Sequence, residues 1–259
     1  MRNSLLIFDS AAATHVGKVR SCNEDSHLVQ PESGIWAVAD GMGGEEAGDV
    51  ASSTVIAALQ SIEPPHSAAD LLAACEDRMI RANSQLKAIA SERGAAVVGT
   101  TVVVLLTYGS HYACVWSGDS RIYRVRGGQI AQLSRDHTAV QELIDNGQLT
   151  PDEARAWPER HVITRAIGVN DQPELDLEYG VMRPGDVFIL CSDGLLAHVS
   201  DDEILYHVNT YTSRQACDEL IALTLRRGAV DNVTVIVVRY RPNGSRPMAS
   251  SGQSGRLGE

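Results

Sequence analysis

No stretch of about 18 consecutive apolar residues occurs, the length a bilayer-spanning helix needs, and the first apolar run stops at Asp9, too early for a secretory leader. Lys/Arg runs are also missing. Acidic residues outnumber basic ones, 33 to 22, and the net charge of −11 makes a field that repels nucleic acid and anionic lipid. The 5 cysteines, at positions 22, 75, 114, 191 and 217, form no CxxC pair. Odd in number and scattered, they suit neither a disulfide framework nor a thiolate metal site and read as ordinary buried thiols. There is no internal repeat. These absences leave a globular chain expected to be cytoplasmic and monomeric, with no nucleic-acid or membrane partner.

The periodicity of apolar residues predicts strands over Ser4–Asp9, His27–Gln30 and Ile35–Ala39, then a helix over about 45–60 and a second over about 67–91. Four strands follow: Thr100–Tyr108, His111–Ser117, Arg121–Arg126 and Gln129–Ser134. Gly109-Ser110 and Gly127-Gly128 read as hairpin turns, so antiparallel pairing is expected. Further strands are expected at Leu175–Gly180, Asp186–Cys191 and Val233–Tyr240, the last one central, with a helix over Ser213–Arg227. Strands in runs and helices in pairs argue for an α+β layered fold with antiparallel sheets and against a doubly wound parallel sheet. Residues 1–241 are expected to form one domain. Residues 242–259, rich in Pro, Gly, Ser and Arg, read as a disordered tail.

One stretch, Ala37 to Val50, runs from a strand through glycines into a helix, as phosphate-binding loops do. It has no Gly-Lys-Ser/Thr and no basic residue, and its helix start carries Glu45, Glu46 and Asp49. Asp40-Gly41 belongs instead with three other acidic corners, Gly118-Asp119-Ser120, Ser192-Asp193-Gly194 and Asp231-Asn232, each read as an Asp following the end of an apolar strand. Any one alone is turn chemistry. Together they describe carboxylates that can converge, and converging carboxylates repel unless protons or cations intervene. Oxygen-only ligands select hard cations such as Mg²⁺ or Mn²⁺.

Arg20-Ser21-Cys22-Asn23-Glu24-Asp25, Asp40-Gly41-Met42-Gly43-Gly44, Gly99-Thr100-Thr101, Gly118-Asp119-Ser120-Arg121, Ser192-Asp193-Gly194 and Asp231-Asn232 stand in this order over Gly17–Tyr240. In order and spacing they resemble the motifs of the type 2C metal-dependent protein phosphatases, in their short bacterial form. The resemblance implies a four-layer αββα sandwich of two antiparallel sheets flanked by helix pairs. It also implies hydrolysis of phosphoserine and phosphothreonine in proteins by a metal-activated water, opposing a bacterial Ser/Thr kinase on that kinase's substrates. By position, Asp40 would bridge two Mn²⁺ or Mg²⁺ ions, with the Gly41 carbonyl completing one and Asp193 and Asp231 the other. Asp119 with Asp193 resembles a third-metal site. Glu24, Asp25 and Asn232 would surround the ions as a second layer. Arg20 is the candidate phosphate clamp, since a guanidinium grips two phosphate oxygens at once. Thr100 and Thr101 read as no more than a strand start and are left out of the site.

Two departures matter. Where many members carry a His after the Gly-Met-Gly-Gly segment this chain has Glu45, and Met42 stands where others place a His; neither Met42 nor an ordinary first-turn acid donates a proton. Glu45 is thus the candidate leaving-group acid, against the plain reading of a helix-start carboxylate. Residues of about 138–160 correspond to the variable flap, and Arg160 and His161 would face substrate from it. The alternative to an enzyme is a catalytically weak phosphoprotein-binding module of the same fold, although all four metal-site Asp residues are present.

Overall fold

A computed structural model describes residues 7–43, 47–95, 97–155, 157–159 and 162–241. The expected start of the first strand at Ser4, Glu45, Arg160, His161 and the tail from 242 lie outside the described residues.

Two five-stranded paths of antiparallel strands form the centre. One sheet runs β1 (Ile7–His15), β11 (Val233–Arg241), β10 (Val187–Cys191), β7 (Arg121–Arg126), β8 (Gln129–Gln132). The other runs β2 (Asp25–Gln30), β3 (Ile35–Met42), β5 (Val102–Tyr108), β6 (His111–Ser117), β9 (Asp176–Val181), with short β4 (Gly99–Thr100) paired to the end of β3. Outside the second sheet lie α1 (Gly48–Gln60) and α2 (Ala68–Arg93); α1 covers β2 and β3, and α2 reaches β5. Outside the first lie α5 (Asp193–Leu196), α6 (Asp201–Thr210) and α7 (Ser213–Arg226), with α7 on β1 and β11. Helices α3 (Ala139–Asp145) and α4 (Pro151–Arg155) belong to the segment between β8 and β9. This is the αββα sandwich.

The layers follow from the two-residue period of strands. In β3, Ile35, Ala37 and Ala39 pack toward the helices, while Trp36 and Val38 face the other sheet. In β10, Val187, Ile189 and Cys191 face α5–α7, and Phe188 and Leu190 face inward. In β11, Ile236, Val238 and Tyr240 meet them. Three buried layers result, one between the sheets and one under each helix set. As expected, β11 is central and Val-Ile-rich, with β1 on one side and β10 on the other.

Several expectations need correction. The first strand continues to His15; Ala11-Ala12-Ala13 has weak strand propensity, but pairing with Val235–Val237 holds it extended. The strand expected over 100–108 is broken at Thr101, whose N–H goes to the Asp40 carbonyl and not to a ladder partner. Helix α6 was not anticipated, although Ser200 and Glu203 form a capping box whose S-x-x-E pattern is readable. The acidic corners also differ from one another. Asp40 lies inside β3, because β4 pairs Gly41 with Thr100 and prolongs the strand. Asp231 precedes β11, whereas Asp119 sits where the chain leaves β6 in one sheet for β7 in the other.

Candidate metal centre

The alternation that builds the core between the sheets turns polar at one end. Asp25 and Asp40 face each other in register across β2 and β3, and Asp40 shares the face of Trp36 and Val38 by the two-residue period. By the same count Thr14 on β1, Ser192 just beyond β10 and Thr234 on β11 continue the inward faces of their strands. The sheets thus close over apolar side chains and end in carboxylates and hydroxyls.

A pocket of about 780 Å³ opens at this end, lined by Arg20, Ser21, Cys22, Glu24, Asp40, Gly41, Met42, Gly43, Thr101, Asp119, Ile163, Asp193, Asp231 and Asn232. The structure therefore brings together Arg20, Asp40, Gly41, Asp119, Asp193 and Asp231, with Glu24 and Asn232, from both sheets. Asp25 lies just beneath, 7% exposed. A separate groove of about 310 Å³ between α2 and β9 is almost wholly apolar, lined by residues such as Leu72, Leu106 and Leu177. It lacks the convergent carboxylates that give the first pocket its chemistry.

Each acid is held by its surroundings. The Asp40 backbone is fixed by Thr100 and Thr101: Thr101 N–H and Thr100 Oγ1 both donate to the Asp40 carbonyl, at 2.8 and 2.9 Å. Thr101, left out of the site from sequence, lines the pocket and shares a hydroxyl contact of 2.9 Å with Ser120. The Asp119 corner is pinned by His137, whose Nδ1 accepts the Gly118 N–H while its own N–H donates to the Gly118 carbonyl. Nε2 is then left to donate to Asp176, 3.1 Å away. On the other side of the corner Arg121 grips Asp136 with two of its nitrogens, Nε and Nη2. His137, which sequence reading gave no role, is thus a structural histidine.

Asn232 staples the loop that carries Glu24. Its Oδ1 accepts the Glu24 N–H at 2.8 Å, and its Nδ2 donates to the Val16 and Cys22 carbonyls at 2.9 Å each. Glu24 in turn accepts the Gly41 N–H on its carbonyl, and its carboxylate takes the Gly48 N–H at the start of α1. That helix start faces a protein carboxylate, so the glycine-rich corner is not a phosphate cradle. Gly41 is needed for closeness, because a Cβ there would fall 1.9 Å from the Gly48 carbonyl.

The electrostatics are those of crowded acids. Burial, reinforced by repulsion from Asp25, Asp193 and Asp119, holds the Asp40 carboxyl well above the usual range. Burial also pushes Asp25 and Asp119 up to about 7, with neighbouring carboxylates adding to it. Arg20 reaches Asp231 through Nη2 at 2.8 Å and holds its charge more firmly for that hydrogen bond. Among the described residues no three carboxylate, imidazole or thiolate side chains make a ready-made metal cluster. Asp231 is instead engaged by Arg20, and Asp25 by two hydroxyls.

The residues nonetheless suit a hard divalent cation. Every acidic donor is an oxygen, and the pocket crowds four Asp residues around one lining Arg. The buried Asp25 Oδ1 has no hydrogen-bond partner among the described residues. Beside the acids, Ile163 bridges to Thr138 and gives the pocket an apolar wall.

Comparison with known proteins agrees with this geometry. The model of the family described as protein phosphatase 2C matches residues 10–143. The serine/threonine protein phosphatase PstP of Mycobacterium tuberculosis is 39% identical over 98% of this chain and 50% of its own length, so the chain spans about half of that relative. Protein phosphatase PhpP of Streptococcus pneumoniae is 32% identical over 87% of this chain and 94% of its own. Among solved structures, PppA, described as a key regulatory component of T6SS in Pseudomonas aeruginosa, superposes with a TM-score of 0.86 at 41% identity, covering 92% of this chain and 100% of that one. The catalytic domain of PstP in complex with 2 manganese ions superposes with a TM-score of 0.83 at 39% identity, covering 91% and 99%.

Proposed function

The chain belongs to the protein phosphatase 2C family, and from that premise we propose that it hydrolyses phosphoserine and phosphothreonine in proteins with Mn²⁺ or Mg²⁺ as cofactor. The observation that carries this reading is the shared pocket of Asp40, Asp119, Asp193 and Asp231 with Arg20 at its rim. Asp40, Asp193, Asp231 and the Gly41 carbonyl are the proposed holders of two cations, and Asp119 with Asp193 of a third. When bound, such cations supply an activated water and offset phosphate charge.

The chain's own residues do the rest. Arg20, half exposed at the pocket mouth, exchanges Asp231 for two oxygens of the incoming phosphate and turns the phosphorus toward the acids. Glu24 and Asn232 hold the loop that carries Arg20 at a fixed distance from β3. Glu45 is the proposed proton donor to the leaving serine or threonine oxygen. Arg160 and His161, at the end of the flap of about 138–160, are the proposed contacts to the substrate polypeptide, and Ile163 in the pocket lining offers it an apolar surface. Residues 1–241 make up the proposed catalytic domain. Its proposed setting is a cytoplasmic monomer that opposes a bacterial Ser/Thr kinase, as the bacterial phosphatases among its relatives suggest.

Asp40→Ala, Asp193→Ala and Asp231→Ala are each expected to abolish phosphate release from a phosphothreonine peptide in the presence of Mn²⁺. Near-normal turnover by all three would end the assignment.

A further inference from the structure

Asp25 is a buried carboxylate held on one side only. Its Oδ2 accepts two hydrogen bonds, from Ser192 Oγ at 2.8 Å and from Thr234 Oγ1 at 2.7 Å. Its Oδ1 has no partner among the described residues. Both donors come from the opposite sheet. They are paired with each other at the end of β10 and β11, where Ser192 N–H donates to the Thr234 carbonyl and Thr234 N–H donates to Ser192 Oγ. Ser192 Oγ has only one proton, and accepting from that N–H aims the proton at Asp25. A chain of side chains orients Thr234 in the same way: Asn23 Nδ2 donates to Thr14 Oγ1, which lies 2.8 Å from Thr234 Oγ1. With the Thr234 proton committed to Asp25, the Thr14 hydroxyl donates to Thr234.

The placement of these two hydroxyls is not incidental to the acids. Ser192 immediately precedes Asp193, and Thr234 follows Asp231 by three positions. The two strands that deliver these acids thus also deliver the two donors that fix a third acid, Asp25, opposite Asp40 in the other sheet. Two donors on one oxygen fix the carboxylate plane and leave the second oxygen on the side away from them.

We propose that Thr234 and Ser192 are positioning residues that set the cation affinity of the pocket by clamping Asp25 through Oδ2 and keeping Oδ1 free for the cation shell. This rests on the metal-dependent reading of the same pocket. A ligand layer ordered by partners beyond it binds more tightly than one that must be ordered on binding, and loss of such a partner costs about 10–100-fold in affinity. The clamp also ties the two sheets together at the pocket, so the acids of one are fixed relative to those of the other.

The test is a direct titration of the full chain with Mn²⁺, by calorimetry or by the electron paramagnetic resonance of free Mn²⁺, with no substrate present. Thr234→Val keeps the shape and removes the donor, and is expected to raise the Mn²⁺ dissociation constant about tenfold or more. Thr234→Ser restores the hydroxyl and is expected to stay near wild type. Ser192→Ala is expected to weaken binding as Thr234→Val does, and serves if the valine variant fails to fold. Wild-type affinity in Thr234→Val or in Ser192→Ala overturns the inference, as does a loss in Thr234→Ser equal to that in Thr234→Val. Absence of Mn²⁺ binding in the wild-type chain overturns the metal-dependent reading itself.

Discussion

Gly194→Ala adds one methyl group where α5 meets β11. A Cβ at this position falls 1.9 Å from the Asn232 carbonyl oxygen and 3.5 Å from the Val233 Cα, so the two backbones must part until the first distance reaches 3.4 Å, where ordinary contact begins. Neither side is a flexible side chain that could swing away. On one side stands Asp193, on the other Asp231 and Asn232, and the Asn232 side chain already holds the Glu24 N–H and the Val16 and Cys22 carbonyls. The displacement therefore enters the pocket from both directions. Overpacking of this kind costs about 1–3 kcal/mol, which for a chain of this size lowers Tm by roughly 2–12 °C. The activity loss is larger in proportion, because a misplacement of about 1 Å at reacting groups costs on the order of 100-fold. The assay is kcat/KM on a phosphothreonine peptide at saturating Mn²⁺, with a melting curve on the same sample. A folded variant with wild-type kcat/KM would refute the reasoning that the α5–β11 contact sets the acid geometry.

Arg20→Ala removes the guanidinium proposed to grip phosphate, and at about 1.5–3 kcal/mol for charged hydrogen bonds kcat/KM on the same peptide falls roughly 10–150-fold; Arg20→Lys recovers only part of it, and an unchanged value in the alanine variant removes Arg20 from the site. Without metal, the folded chain keeps protons on Asp25 and Asp119 up to about pH 7, while the unfolded chain releases them near the ordinary value of 3.8; burial and the neighbouring carboxylates shift Asp40 in the same direction. Stability in EDTA should therefore fall as pH rises through that window, and saturating Mn²⁺ should remove the fall, because cation binding requires the ionised forms. Glu24, raised by burial, adds to the fall, while His27, lowered by burial, opposes it, as do the exposed Glu153 and Asp171 and the partly exposed Glu203, lowered by hydrogen bonds that solvent screens. Melting curves across the window that are flat or rising in EDTA would contradict the account of the crowded acids.

The fold was legible where pattern and pairing agree. The run Val233–Tyr240 reads as a central strand because Val and Ile on both of its faces meet apolar partners, one set between the sheets and one under α7. The hairpins at Gly109-Ser110 and Gly127-Gly128 were legible because a tight turn forces the two strands it joins to lie side by side and antiparallel, whatever each pairs with on its other edge. Ala11-Ala12-Ala13 was not, since its strand character comes from pairing with β11 and not from its own side chains. Asp40 could be recognised as an acid near a strand end. That it lies inside β3 depends on β4, a two-residue strand too short to show a period. The hydroxyls of Thr101, Ser192 and Thr234 were hidden for a different reason. Thr and Ser near strand ends are unremarkable in sequence; the pairing of β3 with its neighbours shows that Thr101 holds the Asp40 backbone, and the meeting of the two sheets shows that Ser192 and Thr234 hold Asp25. His137 likewise acquires its role from the turn it pins.

The central claim is that the acids of one pocket hold divalent cations for the hydrolysis of phosphorylated side chains. Its most direct test is phosphate release from a phosphothreonine peptide by the full chain, measured after EDTA treatment and again after Mn²⁺ is restored. The account predicts no release in EDTA and full recovery with Mn²⁺. Release that continues undiminished in EDTA would contradict it.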